Sequence, residues 1–151
     1  MRSTDLIRKY LQNRGIEINK WGDDGFWFIE GSTIVYALPA KIDENMEIVE
    51  ITSIVVRGVK IDMALLKKLL ELNASLYFGA FGLEGDSILL KYTLLGGDHM
   101  DEEEFFNAAI KVAVVADEYD NKIINTHGGM TAVDFVREQL KEEDRRKALP
   151  W

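Results

Sequence analysis

The chain has no cysteine, two prolines and two histidines in 151 residues. Without thiols there is no disulfide, no cysteine nucleophile and no thiolate-ligated zinc or iron–sulfur site, and a reducing compartment is compatible. No run of roughly 18 apolar residues is available to span a membrane. Met1 is followed by RSTDLIRKYLQ, which carries charge throughout and lacks the apolar centre of a secretory signal. A soluble, cytoplasmic protein is expected. Positive charge is also short: 18 Lys and Arg stand against 26 Asp and Glu, a net charge of −8. Such a surface repels a phosphate backbone, and no Lys/Arg stripe interleaved with aromatics offsets it. Neither nucleic acid nor a membrane is expected as a partner.

Hydrophobic residues make up 47% of the chain and aromatics 10%, the composition of an ordered globular protein. A domain of this length buries roughly 70% of the surface its unfolded chain exposes, so a single core suffices without staples. Ser3 or Thr4 can cap a first helix with Leu6, Ile7, Tyr10 and Leu11 on one face, closed by Gly15. Strands follow. Ile16, Ile18 and Trp21 alternate with polar residues, GDDG supplies a turn into FWFIEG, and a second turn at Gly31-Ser32 leads into TIVYALPA. Pro39 is expected to end that strand or mark its edge. The stretch MEIVEITSIVVRGVKI reads as a central strand with apolar residues on both faces, Ile54 and Val56 against Val49, Ile51 and Val55.

Asp62 caps a helix from Met63 to about Asn73. Leu65, Leu69 and Leu72 form one stripe and Met63, Leu66 and Leu70 another, wider than a helix lying on one sheet requires. The surplus stripe is expected to meet a second copy, making Met63, Leu66 and Leu70 a dimer interface. A hairpin turning at Glu84-Gly85-Asp86 precedes a long helix whose start, Asp101 with Glu104, is an acidic capping box. Phe105, Ala109, Val112, Ala116, Tyr119 and Ile123 recur at helical spacing as a core stripe. HGG then breaks the chain, Thr131 caps again, and a charged helix with Val133, Val136 and Leu140 docks by its front end and frays beyond Lys141.

The order is helix, three or four strands, helix, two strands, helix, helix. Hairpin-linked strands point to an α+β fold: an antiparallel sheet of about five strands with helices mainly on one face, plus a C-terminal helix. Residues 1–130 read as one domain and 131–151 as a charged helix and tail attached to it.

The segment LLKKLLELNASLYFGAFGLEGDSILLKYTLL, followed by an acidic helix start and ADEYDNKIINTHGG, resembles the YbjN-like domain family, whose fold is that of the type III secretion chaperones. The matching pieces are Leu72-Asn73, Phe81-Gly82 and the run Ala116 to Asp120. The resemblance covers roughly residues 65–129. It implies a small acidic homodimer that binds protein segments and catalyses nothing. In the secretion chaperones, the helix matching residues 63–73 and the strand after it contribute to dimerisation. Exposed apolar patches on the sheet and first helix hold the partner chain.

No residue cluster amounts to a chemistry, and no cofactor is expected. His99 and His127, with Asp98, Asp101 or Glu102, form neither HxxxH nor HExxH, so a helix-boundary role outweighs a metal site. DEEE lacks the calcium-loop pattern and reads as a helix cap. Gly96-Gly97 and Gly128-Gly129 are turns rather than phosphate loops, since neither is followed by Lys-Ser/Thr. Ser32, Ser53, Ser75 and Ser87 have no GxSxG context. Glu47 with Glu50, or Asp23 with Asp24, would serve acid–base work only if buried together. One pattern does point outward. Trp27 and Ile29 alternate against Phe26 and Phe28, so one pair faces away from the core, and Trp27, Ile29 and Tyr36 are the candidate partner-binding residues. The expected function is a non-enzymatic, chaperone-like or adaptor module. The competing reading is a small-ligand sensor or an enzyme with a pocket between sheet and long helix.

Overall fold

The computed structural model describes residues 1–31 and 33–147. Ser32 of the expected Gly31-Ser32 turn, and Trp151 with the rest of the tail, lie outside the described residues. The elements are α1 (Arg2–Asn13), β1 (Asn19–Trp21), β2 (Gly25–Glu30), β3 (Thr33–Asp43), β4 (Met46–Val56), α2 (Met63–Asn73), β5 (Ala80–Glu84), β6 (Ser87–Leu95), α3 (Glu102–His127) and α4 (Ala132–Lys147). A 3₁₀ turn at Gly97–His99 joins β6 to α3. The six strands form one antiparallel sheet in the order β1-β2-β3-β4-β6-β5, against about five expected, with the short NKW segment paired with β2 across the GDDG turn.

The sheet places Phe26, Phe28, Val35, Ala37, Val49, Ile51, Ile88 and Leu90 on one face, where α1 and α3 cover them. Phe105 of α3 is fully buried at the centre, with its ring 6.1 Å from that of Phe28 and 6.0 Å from that of Tyr10. The expected α3 stripe is buried except for the half-buried Tyr119, and Phe106, Ala108 and Ala113 join it. A helix pressed between a sheet and α1 has a broader inner face than one lying on a sheet alone.

Local signals met different fates. The Asp62 cap of α2 and the Asp101–Glu104 capping box of α3 are present. Thr131 Oγ1 accepts a hydrogen bond from the Asp134 amide at 3.1 Å. Ser3 and Thr4, by contrast, do not cap α1, which starts at Arg2 behind Met1 with no side-chain cap. They are buried in its first turn, where Ser3 Oγ accepts from the Gly97 amide at 2.8 Å and Thr4 Oγ1 donates to the Asp24 carbonyl at 3.2 Å. Tertiary partners 94 and 20 residues away outbid the local cap.

Pro39 does not end β3. Beyond Ala37 that strand has only β4 as a paired neighbour, so its missing N–H falls on an edge stretch. Val56 leaves the face of Ile54: a β-bulge between them brings it opposite Ile88 on the helix-covered side, and both Val55 and Val56 are buried. Helix α4 does not fray at Lys141 but runs to Lys147. Its front end docks where β3 begins and β4 ends, with Ala132 buried and the Phe135 ring over the Arg57 guanidinium at 4.6 Å.

The three motif pieces quoted above converge in space. The Asn73 side chain donates to the Phe81 carbonyl at 3.1 Å and accepts from the Phe81 amide at 2.7 Å, as a neighbouring strand would. The Phe81 ring meets Tyr119 of α3 edge-on at 5.4 Å. The end of α2, the edge strand β5 and the middle of α3 are thereby locked together.

Truncating the central ring, Phe105→Ala, is expected to cost about 3–5 kcal/mol, seen as a lower urea midpoint at unchanged slope. Asp120, on α3 near the α4 junction, behaves oppositely to a paired carboxylate. Partial burial pushes its carboxyl above its ordinary value of 3.8, against the Asn121 amide that lowers it, and Asp117 and Asp134 push it further up. Its ionised form is therefore disfavoured in the folded state. That penalty is absent below the unfolded carboxylate range and complete once pH has risen through the folded value. Asp120→Asn should raise the melting temperature at pH 7, with the gain disappearing below about pH 4; a gain independent of pH would contradict this account.

Candidate functional site

Among the described residues no helix lies over the middle of the other face of the sheet. Side chains there pair across strands: Trp27 with Tyr36, Tyr36 with Thr52, Thr52 with Lys91, Ile29 with Ile34, and Ile54 with Leu89. Trp21 of β1 leans over this face with its ring 5.1 Å from Tyr36, edge-on. Together with Leu38, Thr52, Ile54, Leu89, Arg57, Glu84 and Ser87, these two rings line an open depression of about 400 Å3. Its floor is aliphatic and aromatic, and its charged groups stand at the end where β4 leaves the sheet. Burial raises the Tyr36 phenol above its ordinary value, with the positive charge of Arg57 pulling the other way. The Thr52 hydroxyl in the same lining is buried without a hydrogen-bond partner.

Of the three candidate partner-binding residues, Tyr36 lines the depression. Trp27 and Ile29 share its face but stand outside that lining; Ile29 is 61% exposed and Trp27 half-buried. Strand alternation carried Leu38 and Ile54 onto the same face, a signal available in TIVYALPA and in the central strand. Trp21 needed the GDDG hairpin register, which places it opposite Gly25. Arg57 follows the β4 bulge, and no periodicity foretells a side chain beyond a bulge.

A second apolar surface lies on α2. Leu65 and Leu69 are buried, whereas Met63 is 78% and Leu70 is 70% exposed, with Leu66 half-buried beside them. Tyr77, after the helix, is almost fully exposed. The nearby edge of β5 is not open along its length, because Asn73 already occupies the backbone groups of Phe81.

The polar candidates separate. His127 Nε2 lies 3.0 Å from Asp62 Oδ1, joining the end of α3 to the start of α2, while His99 belongs to the 3₁₀ turn beside Arg2 and Glu47. The Asp62 carboxyl is held below its ordinary value, first by the Leu65 amide and then by His127. Glu47 and Glu50 fall on opposite faces of β4, and Glu50 pairs with Lys91 at 2.9 Å. Asp23 and Asp24 are exposed in a turn. Ser53 is buried without a partner, Ser75 Oγ donates to the Leu72 carbonyl at 3.0 Å, and Ser87 lines the outer depression. Glu102 of the DEEE run takes the Asn13 amide at 3.2 Å as the run caps α3. Gly97 is tied to Ser3, and Gly129 has a φ of 93° at a site where an added Cβ would meet the Arg57 carbonyl, so both pairs serve close backbone approach.

A family model described as "T3SS (YopN, CesT) and YbjN peptide-binding chaperone 1" matches residues 4–135. Among solved structures, one titled "Crystal structure of YbjN, a putative transcription regulator from E. coli" is similar with a TM-score of 0.54 and 14% identity. The alignment covers 79% of this chain and 92% of that one, and at this identity it speaks to the fold alone. No curated protein sequence matches significantly.

Proposed function

The chain belongs to the T3SS and YbjN peptide-binding chaperone family, and from that premise we propose that it holds an extended, largely apolar segment of a partner protein on the open sheet face. The observation that carries this reading is the depression around Tyr36, about 400 Å3 of aromatic and aliphatic floor on a face that no helix covers at its middle. An extended chain laid there sets alternate side chains into it, with Trp21 and Tyr36 as the rigid anchors that interface energetics favour. Trp27 and Ile29 extend the same surface to the side. The role is that of a non-enzymatic chaperone or adaptor working in the cytoplasm without a cofactor. Residues 1–130 supply the binding domain and 131–151 its charged extension.

The competing reading, a ligand or catalytic pocket between sheet and long helix, finds little room. Of the hollows between them, the one lined by Ile34, Val55, Ala116 and Asp120 amounts to about 20 Å3 and the one lined by Thr33, Ile110 and Ala113 to about 110 Å3, both short of the roughly 300 Å3 at which ligand pockets begin.

In the same reading the chain pairs with a second copy through Met63, Leu66 and Leu70. The Asn73 clasp on Phe81 favours contact through the α2 side chains over strand-to-strand joining at β5.

Peptides selected from a random display library on the full chain should lose at least tenfold in affinity on Tyr36→Ala, about 1.4 kcal/mol, with folding intact by circular dichroism. Binding indifferent to Tyr36 would place the site elsewhere. Leu70→Lys should halve the mass measured by light scattering without altering the fold. A wild-type chain already running as a monomer would remove the dimer.

A further inference from the structure

Arg57 is set into the outer face differently from other cations of the chain. Its backbone is fixed from both sides, its amide donating to the Met130 carbonyl at 2.8 Å and its carbonyl accepting from the Met130 amide at 2.9 Å. Gly129 makes that approach possible, since a Cβ there would lie 2.4 Å from the Arg57 carbonyl oxygen. At the far end of the side chain, the guanidinium carbon lies over the Phe135 ring of α4, 4.6 Å from its centroid. An aromatic ring engages the positive charge without supplying an acceptor oxygen, and the paired N–H groups of a guanidinium match a carboxylate in bidentate fashion.

Yet the guanidinium has no carboxylate partner among the described residues, in a chain where acids outnumber bases 26 to 18. Lys91, which projects from the same face, is already satisfied by Glu50 at 2.9 Å. Glu84, the acid in the same lining, forms no ion pair with Arg57. Arg57 is half-buried beside Tyr36, Ile54 and Leu89, where a desolvated cation gains most from an anion.

We infer that the segment held on this face is one carrying an aspartate or glutamate side chain, bound by Arg57 while neighbouring apolar residues fill the floor around Tyr36, Leu38 and Ile54. This rests on the outer face being the binding surface. It adds that a partner is chosen by a carboxylate placed next to apolar residues, against the acidic net charge of the protein. The like-charged surface around it disfavours strongly acidic segments, so the match is to one acid in an apolar stretch rather than to a run of them.

The test uses random linear peptides displayed on phage, selected against the full chain. The winners are then synthesised with amidated C-termini, so that no terminal carboxylate substitutes for a side chain. Enrichment of Asp or Glu among apolar residues is expected. Replacing that acid by its amide should weaken binding at least tenfold on the wild-type chain and have little effect on Arg57→Gln. Arg57→Lys should retain part of the discrimination. The acid-to-amide comparison on the wild-type chain needs no protein variant, so it decides even if Arg57→Gln folds poorly. Peptides that depend on Tyr36 but show no acid preference, or an acid preference that survives in Arg57→Gln, overturn the role of Arg57 and leave the outer face standing. Peptides indifferent to both residues, or no enrichment at all, overturn the outer-face reading and this inference with it.

Discussion

A single sheet whose helices lie on one side has two faces with unequal fates, and that asymmetry governs this molecule. Side chains along a strand alternate with a period of two, so every residue placed under α1 and α3 puts its neighbours on the opposite face. Phe26 and Phe28 are buried, and that forces Trp27 and Ile29 outward. Val35 and Ala37 inside mean Ile34, Tyr36 and Leu38 outside. An antiparallel sheet meeting water on its second face normally carries polar residues there. This one carries Trp21, Tyr36, Leu38, Ile54 and Leu89, and α4 shelters only the end at Ile34. An apolar face that the chain itself covers only at one end is the physical basis for reading it as a surface for another chain.

Much of this architecture was legible in the sequence because it rests on local chemistry. The capping box at Asp101 and Glu104, the cap at Asp62 and the spacing from Phe105 to Ile123 are short-range signals, and each appears where it was expected. The failures share a cause. Ser3 and Thr4 looked like helix caps but found partners at Gly97 and Asp24. Pro39 was expected to end its strand or mark its edge, and only the edge reading holds, because it falls beyond the reach of β2. Val56 looked like a neighbour of Ile54 until a bulge changed its face. Each depends on what stands across the fold, which no window of sequence contains.

The same distinction explains why family motifs announced the fold and left the site unspoken. Asn73, Phe81 and Tyr119 meet in one cluster that pins α2 to the edge strand and the edge strand to α3. Residues with such a duty specify topology whatever the protein binds. The depression on the outer face is assembled differently, one or two residues from each of five strands, and any aliphatic or aromatic choice on its floor satisfies the alternation. Tyr36 and Leu38 could be placed on one face from sequence, but which residues of the other strands stand beside them could not be named until register was known.

Helix α4 ties the two kinds of information together. The family match ends at residue 135, the position of the ring that stacks on Arg57. The first turn of α4 thus lies within that match, while Val136 and Leu140 stay exposed on the remainder. A guanidinium on a free side chain loses rotamer entropy each time it grips an anion. Fixed by Met130 at its backbone and by Phe135 at its head, Arg57 has lost much of that freedom on folding, so the carboxylate of the proposed partner would meet donors already in place. The helix that reads in sequence as a charged appendage is, at its front end, part of what shapes the proposed binding face.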